Sequence, residues 1–182
     1  MLEKLPPLPI VVRPCFEQDL QWVQFIYAHH VLHGVASFEL EPPDLAETRA
    51  RWAKAVGAGL PFLVACPQTD PTRVVGFAYA APFHQRPAYA HTFEDSVYVA
   101  PGAAGRGVGA ILLNGVLHEL QHPEEVRQVL ALIGDSDNAA SIALHSKLLF
   151  QRVGKLHKVG YKFGRDLDVI IMQRNIGPRE NR

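Results

Sequence analysis

A chain of 182 residues that is 48% hydrophobic and 20% charged can bury a proper core, so disorder is not its expected state. Lys+Arg and Asp+Glu balance at 18 each, so no global basic field draws the chain to nucleic acid or to an anionic membrane. Cys15 and Cys66 make neither a CxxC pair nor a metal spacing, and free thiols in a reducing cytosol are the simplest expectation.

Residues 1–9 form a proline-rich lead, too short and too proline-broken for a signal peptide, and no apolar run approaches a membrane span. A soluble cytoplasmic protein is expected. Ile10–Arg13 is a β-branched run closed by Pro14, a first strand. Asp19 is placed to cap a helix through about Leu32, with Gly34 as its stop. Pro42-Pro43-Asp44 opens a second helix through Trp52 and Val56, ending near Gly57 and Gly59. Phe62–Ala65 and Val74–Ala81 read as an antiparallel hairpin around the turn-rich Pro67–Thr72. Phe93–Val99 is a strand that runs into a glycine-rich loop and a helix, Val108–Leu120. Val126–Ile133 is a buried strand, Asn138–Leu149 a helix, and Gln151–Tyr161 and Asp168–Arg174 two closing strands, before a polar tail from Gly177. This order predicts an α/β fold, a mixed and mostly antiparallel sheet with helices on both faces, as one domain over residues 1–182 with its core at about 10–175.

The loop Gly102-Ala103-Ala104-Gly105-Arg106-Gly107-Val108-Gly109-Ala110 suits a pyrophosphate. Its glycines keep no side chain between ligand and backbone, its N–H groups converge, and a helix N-terminus stands beneath them. Arg106 adds a cation. A plain strand–helix connection is the alternative reading of the loop alone. The Walker pattern is absent, since no Gly-Lys-Ser/Thr ends the loop, and a dinucleotide fingerprint belongs on a first strand rather than the fourth.

Val97-Tyr98-Val99-Ala100-Pro101 followed by Gly105-Arg106-Gly107-Val108-Gly109-Ala110 resembles the acetyl-CoA motif of the GNAT N-acetyltransferases. Ala88-Tyr89, Thr92 to Val99, Asn138 to His145 and Gly160 to Arg165 are similar to the phosphinothricin/methionine sulfoximine branch. The likeness runs from about Ile10 to Asn175. It departs at Ala104, usually Gln or Arg, at Leu149, usually Gly, and at Asp166, usually Trp.

The resemblance implies a GNAT fold that binds acetyl-CoA, without a metal, in a cleft between the fourth and fifth strands. The acetyl group passes by direct attack to the amine of a small amino acid or analogue of the phosphinothricin, methionine sulfoximine or methionine sulfone type. Glu94 sits where the family's general base is expected; a solvated strand-end carboxylate is its plainer reading. His145 aligns with the branch's histidine and assists proton transfer, or simply packs in a polar niche. Asn138 contacts pantetheine amides or caps its helix, and Ser141 stands with it in the cofactor set. A backbone N–H of Val97–Val99 stabilises the oxyanion. Arg86 is the leading grip for an acceptor carboxylate or phosphinate, Phe38 and Tyr89 wall the pocket, and Lys162 or Arg165 reaches in from the last hairpin. A homodimer is implied, with the acceptor pocket finished near the subunit interface. An acetyltransferase for protein or peptide amines is the alternative.

His118-Glu119-Leu120-Gln121-His122 matches H-E-x-x-H, which would make a zinc hydrolase. It falls at a helix end, before Pro123, and a third ligand is missing. His29-His30-x-x-His33 has i,i+4 spacing but also lacks further ligands. We set both aside.

Overall fold

The computed structural model describes residues 6–121 and 126–177. Seven strands form one sheet: β1 Ile10–Pro14, β2 Phe62–Pro67, β3 Gly76–Pro82, β4 Thr92–Val99, β5 Gln128–Gly134, β6 Gln151–Lys162 and β7 Arg165–Asn175. The helices are α1 Leu20–His33, α2 Leu45–Gly57, α3 Val108–Leu120 and α4 Ala139–Lys147. Among the described residues, no helix is long and apolar enough to cross a membrane.

The spatial order is β1-β2-β3-β4-β5-β7-β6. Every neighbouring pair is antiparallel except β4 and β5. The expected mixed, mostly antiparallel sheet is present, and helices cover both faces. Strand β2 shows why. Its apolar run is buried throughout, because Leu63 and Ala65 enter the core beneath α3 while Phe62, Val64 and Cys66 enter the core beneath α1 and α2.

Several local expectations change. Asp19 does not cap α1 through its side chain. It accepts from Arg13 Nη1 and Nη2 at 2.6 and 2.9 Å and from the Phe16 N–H at 2.8 Å, so a long-range ion pair replaces the local cap. Asp44 does cap α2, accepting from the Glu47 N–H at 2.8 Å. The last hairpin is longer than its apolar pattern. Strand β7 starts at Arg165, and Phe163 and Gly164, with φ of 52° and 74°, make a two-residue turn of the kind that suits the strand twist. Leu149 keeps the left-handed backbone, φ 65°, where the resemblance leads one to expect glycine.

Candidate active site

The sheet opens along β4. This strand pairs with β3 from Phe93 to Val99, but with β5 only at Thr92, Phe93 and Glu94. Strand β5 instead follows β7, with which it pairs over its full length. A cleft of about 420 Å³ opens where β4 and β5 part, lined on β4 from Glu94 to Tyr98 and on β5 from Ala131 to Gly134.

Two alternations along β4 decide what faces this cleft. The first is in the backbone. The Ala100 N–H donates back to Val75 O at 2.9 Å, and backbone groups alternate sides along a strand, so the N–H and C=O of Asp95, Val97 and Val99 point toward β5. The ladder ends at Glu94↔Leu130, where the Leu130 C=O takes the Asp95 N–H, and β5 is no longer there to receive the N–H groups of Val97 and Val99. These N–H groups are fixed donors in the cleft, and His30 Nε2–H already caps Val99 O at 2.9 Å.

The second alternation is in the side chains. Tyr98 packs edge-on against Tyr27 of α1 at 5.0 Å, which places Glu94, Ser96 and Tyr98 on the α1–α2 face. Val97 and Val99 pack into the α3 core, which places Asp95 on the opposite face with them. The two predicted catalytic residues are therefore separated by the strand. Glu94 faces the α1–α2 side, and His145, on α4, lies on the other.

Glu94 is half-buried. Burial, and after it the neighbouring Asp95 charge, push its carboxyl above the usual value of 4.5. His145 is almost fully buried. Its Nε2 lies 3.0 Å from Asp95 Oδ2 and its Nδ1 2.7 Å from the Ser141 carbonyl oxygen. Burial alone would lower its pKa, but the Asp95 carboxylate and the carbonyl outweigh burial and raise it above 6.5.

Asn138 lines the cleft and caps α4, accepting from the Ser141 N–H at 3.2 Å. Ser141 lines it too. The glycine loop follows the C-terminal end of β4 and is not part of the cleft wall. Gly105 and Gly107 have φ of 71° and 86°, and a Cβ on either would meet nothing within 4 Å. Their backbone is bare toward open space, a cradle that side chains would fill. Val108 is buried in the core, so only its backbone can serve a ligand. Gly109 and Ala110 open α3, and a Cβ on Gly109 would touch Leu144 at 3.3 Å. Arg106 is not free: its Nε–H donates to Pro6 O at 3.1 Å.

Phe38 lines the cleft. Its ring sits between Gly134 and Gly160, where a Cβ on Gly134 would come within 2.8 Å of it and one on Gly160 closer still. Lys162 reaches inward and donates to Ser37 O at 2.8 Å. Arg165 does not, because it pairs with Asp135. Arg86 and Tyr89 stand outside this cleft, on an exposed arm between β3 and β4. There Tyr89 packs on Phe83 and His84 at 5.7 and 5.1 Å. Helix α3 ends at Leu120, so His118 and Glu119 occupy its last turn; His122 lies outside the described residues. Cys15 and Cys66 are buried in the core under α1 and α2, and burial pushes the Cys15 thiol up to about 12, so it offers no thiolate.

The sequence reading missed Asp95 and the polar group Tyr27, Ser37 and Glu39. Asp95 had a signal: it interrupts the core-facing alternation Phe93, Val97, Val99, where a carboxylate demands a partner. Ser37 and Glu39 had none, since only long-range packing brings them to the cleft.

Residues 20–150 match the model of the acetyltransferase (GNAT) family. The phosphinothricin N-acetyltransferase of Alcaligenes faecalis is 48% identical over 163 residues, covering 90% of this chain and 81% of that protein. The L-methionine sulfoximine/L-methionine sulfone acetyltransferase of Pseudomonas paraeruginosa is 34% identical over 167 residues, covering 92% and 95%. Among solved structures, the phosphinothricin acetyltransferase (Pat) of Sinorhizobium meliloti in complex with AcCoA superposes with a TM-score of 0.88 at 37% identity, covering 93% of this chain and 90% of that one.

Proposed function

The chain belongs to the GNAT family of acetyltransferases, and on that premise we propose that it moves the acetyl group of acetyl-CoA to the amine of a small amino acid or analogue, of the phosphinothricin, methionine sulfoximine or methionine sulfone type. One observation carries this reading: the half-open β4, which presents backbone N–H donors in a cleft that its own Glu94 lines with a half-buried carboxylate.

Acetyl-CoA supplies the thioester. The bare loop Gly105 to Gly109 and the first turn of α3 receive its phosphates. An N–H of Val97 or Val99 stabilises the negative charge that develops on the carbonyl oxygen. The acceptor enters from the α1–α2 side, past Phe38. Glu94 takes a proton from its ammonium, directly or through one water, and the neutral amine attacks the carbonyl carbon. The C–N bond forms, the C–S bond breaks and the thiol leaves. Raised above the ordinary range, Glu94 is a better proton acceptor than a solvated glutamate.

Arg86 and Tyr89 enter this reading through a homodimer. They stand outside their own chain's cleft on an exposed arm, and an acceptor pocket finished near a subunit interface is how they would meet the acceptor's acid group. The reading includes a single-domain cytoplasmic enzyme.

The test is thiol release from acetyl-CoA against amino acids, methionine sulfoximine, methionine sulfone and phosphinothricin, with a polyamine and a peptide as controls. Turnover with a tetrahedral sulfur or phosphorus analogue is expected. Turnover confined to the peptide moves the acceptor to a protein amine, and silence with acetyl-CoA still bound removes the acceptor assignment.

A further inference from the structure

Asp95 has no part in the reaction just described, yet it is among the most deeply buried charged groups of the described chain. Its side chain is 1% exposed and that of His145 3%. A carboxylate withdrawn from water to that degree persists only with a compensating partner, and His145 is that partner.

The geometry also fixes where the protons are. Nδ1 faces the Ser141 carbonyl at 2.7 Å, and a carbonyl oxygen only accepts, so Nδ1 carries hydrogen. Nε2 faces Asp95 Oδ2 at 3.0 Å, and an ionised carboxylate likewise only accepts, so with Asp95 ionised Nε2 carries the second hydrogen. With hydrogen on both nitrogens the ring has no lone pair left. Phe150 closes its edge at a centroid distance of 5.1 Å. Among the described residues the second carboxylate oxygen, Oδ1, is buried without a hydrogen-bond partner, and the imidazole is the one side chain among them that hydrogen-bonds the Asp95 carboxylate.

We propose that Asp95 is a positioning residue: it holds His145 as a doubly protonated ring fastened to the first turn of α4, which removes His145 as a base and leaves Glu94 alone to take the proton from the acceptor amine. This rests on the acetyltransferase reading and gives a reason why His145 does not share the role that the reading assigns to Glu94. Because Glu94 and Asp95 are consecutive, they point to opposite faces of one strand, and the pair acts on Glu94 through the strand rather than by contact. The ionisable groups that share the cleft with Glu94 are Tyr98 on β4, Tyr79 on β3, Tyr27 on α1, Glu39 on the α1–α2 connection and the Asp95–His145 pair. Asp95 is the charged neighbour that burdens its ionisation.

The first measurement uses the whole unmodified protein: nitrogen chemical shifts of the His145 ring at neutral pH. Protons on both nitrogens are expected, and a neutral tautomer overturns the proposal. The second is Asp95→Asn, which keeps an oxygen for Nε2–H and removes the charge; circular dichroism checks its fold. In this variant the His145 ring becomes neutral at pH 7, and the acid limb of kcat/KM moves to lower pH as Glu94 loses its like-charged neighbour. An unmoved limb together with an unchanged ring overturns the proposal. The third compares turnover at the pH plateau. His145→Gln lowers kcat by no more than about tenfold, whereas Glu94→Gln lowers it by at least about 100-fold. A loss in His145→Gln equal to that in Glu94→Gln makes His145 a base and sinks the idea. If no acceptor is ever turned over, the rate arms are silent, and the ring measurement still decides what Asp95 does.

Discussion

The two halves of β4 have the same neighbours in sequence order and opposite fates. Thr92 to Glu94 are paired on both sides; Asp95 to Val99 are paired only with β3. In the closed half, backbone polarity is spent on the sheet. In the open half it remains directed into a cleft, fixed by the same strand. An active site here is not an addition to the sheet but an unfinished portion of it, and Glu94 lies at the junction.

That contrast can be broken at the junction first. Glu94→Gln is expected to lower kcat by about 10²- to 10⁴-fold, with acetyl-CoA affinity unchanged by calorimetry. Survival of turnover within a few-fold means that the base is elsewhere. Next is the far end of the open half. Gly107→Asp places a carboxylate in the empty space above the loop and forces a side chain onto φ 86°. Acetyl-CoA affinity falls by at least about 100-fold, from like-charge repulsion and lost access together; an unchanged dissociation constant refutes the loop assignment. The pH profile gives a finer test. Glu94 must be ionised to act and its folded pKa is raised, so kcat/KM falls as pH drops through a value above 4.5. An acid limb at or below that value contradicts the half-buried environment.

Two substitutions remote from the open half sharpen the contrast, because they alter stability and leave turnover intact. Asp19→Asn removes a buried charge from a bidentate contact with Arg13 and is expected to cost about 2–3 kcal/mol by denaturant unfolding at pH 7. Burial works against ionisation of Asp19, but Arg13 and the Phe16 N–H outweigh it and hold the carboxyl below its usual range. A depressed folded pKa gives stability that is complete above the unfolded value and lost as pH falls through the folded one. The difference between variant and parent therefore shrinks below about pH 4. Leu149→Gly has the smallest effect and the opposite sign. Leu149 is 73% exposed and left-handed, so little burial is lost and the backbone strain is relieved; about 0.5–1 kcal/mol of stabilisation is expected in a thermal melt.

What was legible in the sequence follows from how locally it is encoded. The β4–loop–α3 segment is a contiguous run whose glycines, periodicity and helix start lie within 20 residues, and its expected boundaries agree with those observed. Asp44 as a cap is local in the same sense. Asp19 has the same residue type in a similar position, yet Arg13 captures its side chain, and no propensity reports that competition. The parting of β4 from β5 was expected from the family likeness. What sets it physically, the adherence of β5 to β7 along its whole length, is a pairing of distant segments. Resemblance points to Arg86 and Tyr89 as pocket residues, but the fold holds both on an exposed arm outside their own chain's cleft. Asp95 was readable but unread: period-two alternation places it on the apolar face, and a charge there announces a partner.

The Phe38 ring has a consequence for how such an enzyme changes its diet. It is wedged between Gly134 at the end of β5 and Gly160 on β6, so the floor beneath the proposed acceptor position is one part held by two others distant in sequence. Trimming the ring alone leaves a void bounded by two bare backbones, and enlarging either glycine alone drives the ring out of its seat. Acceptor size is then a property of three positions that must vary together. A lineage drifting one substitution at a time would tend to keep its acceptor, and a new one would arrive by compensated pairs.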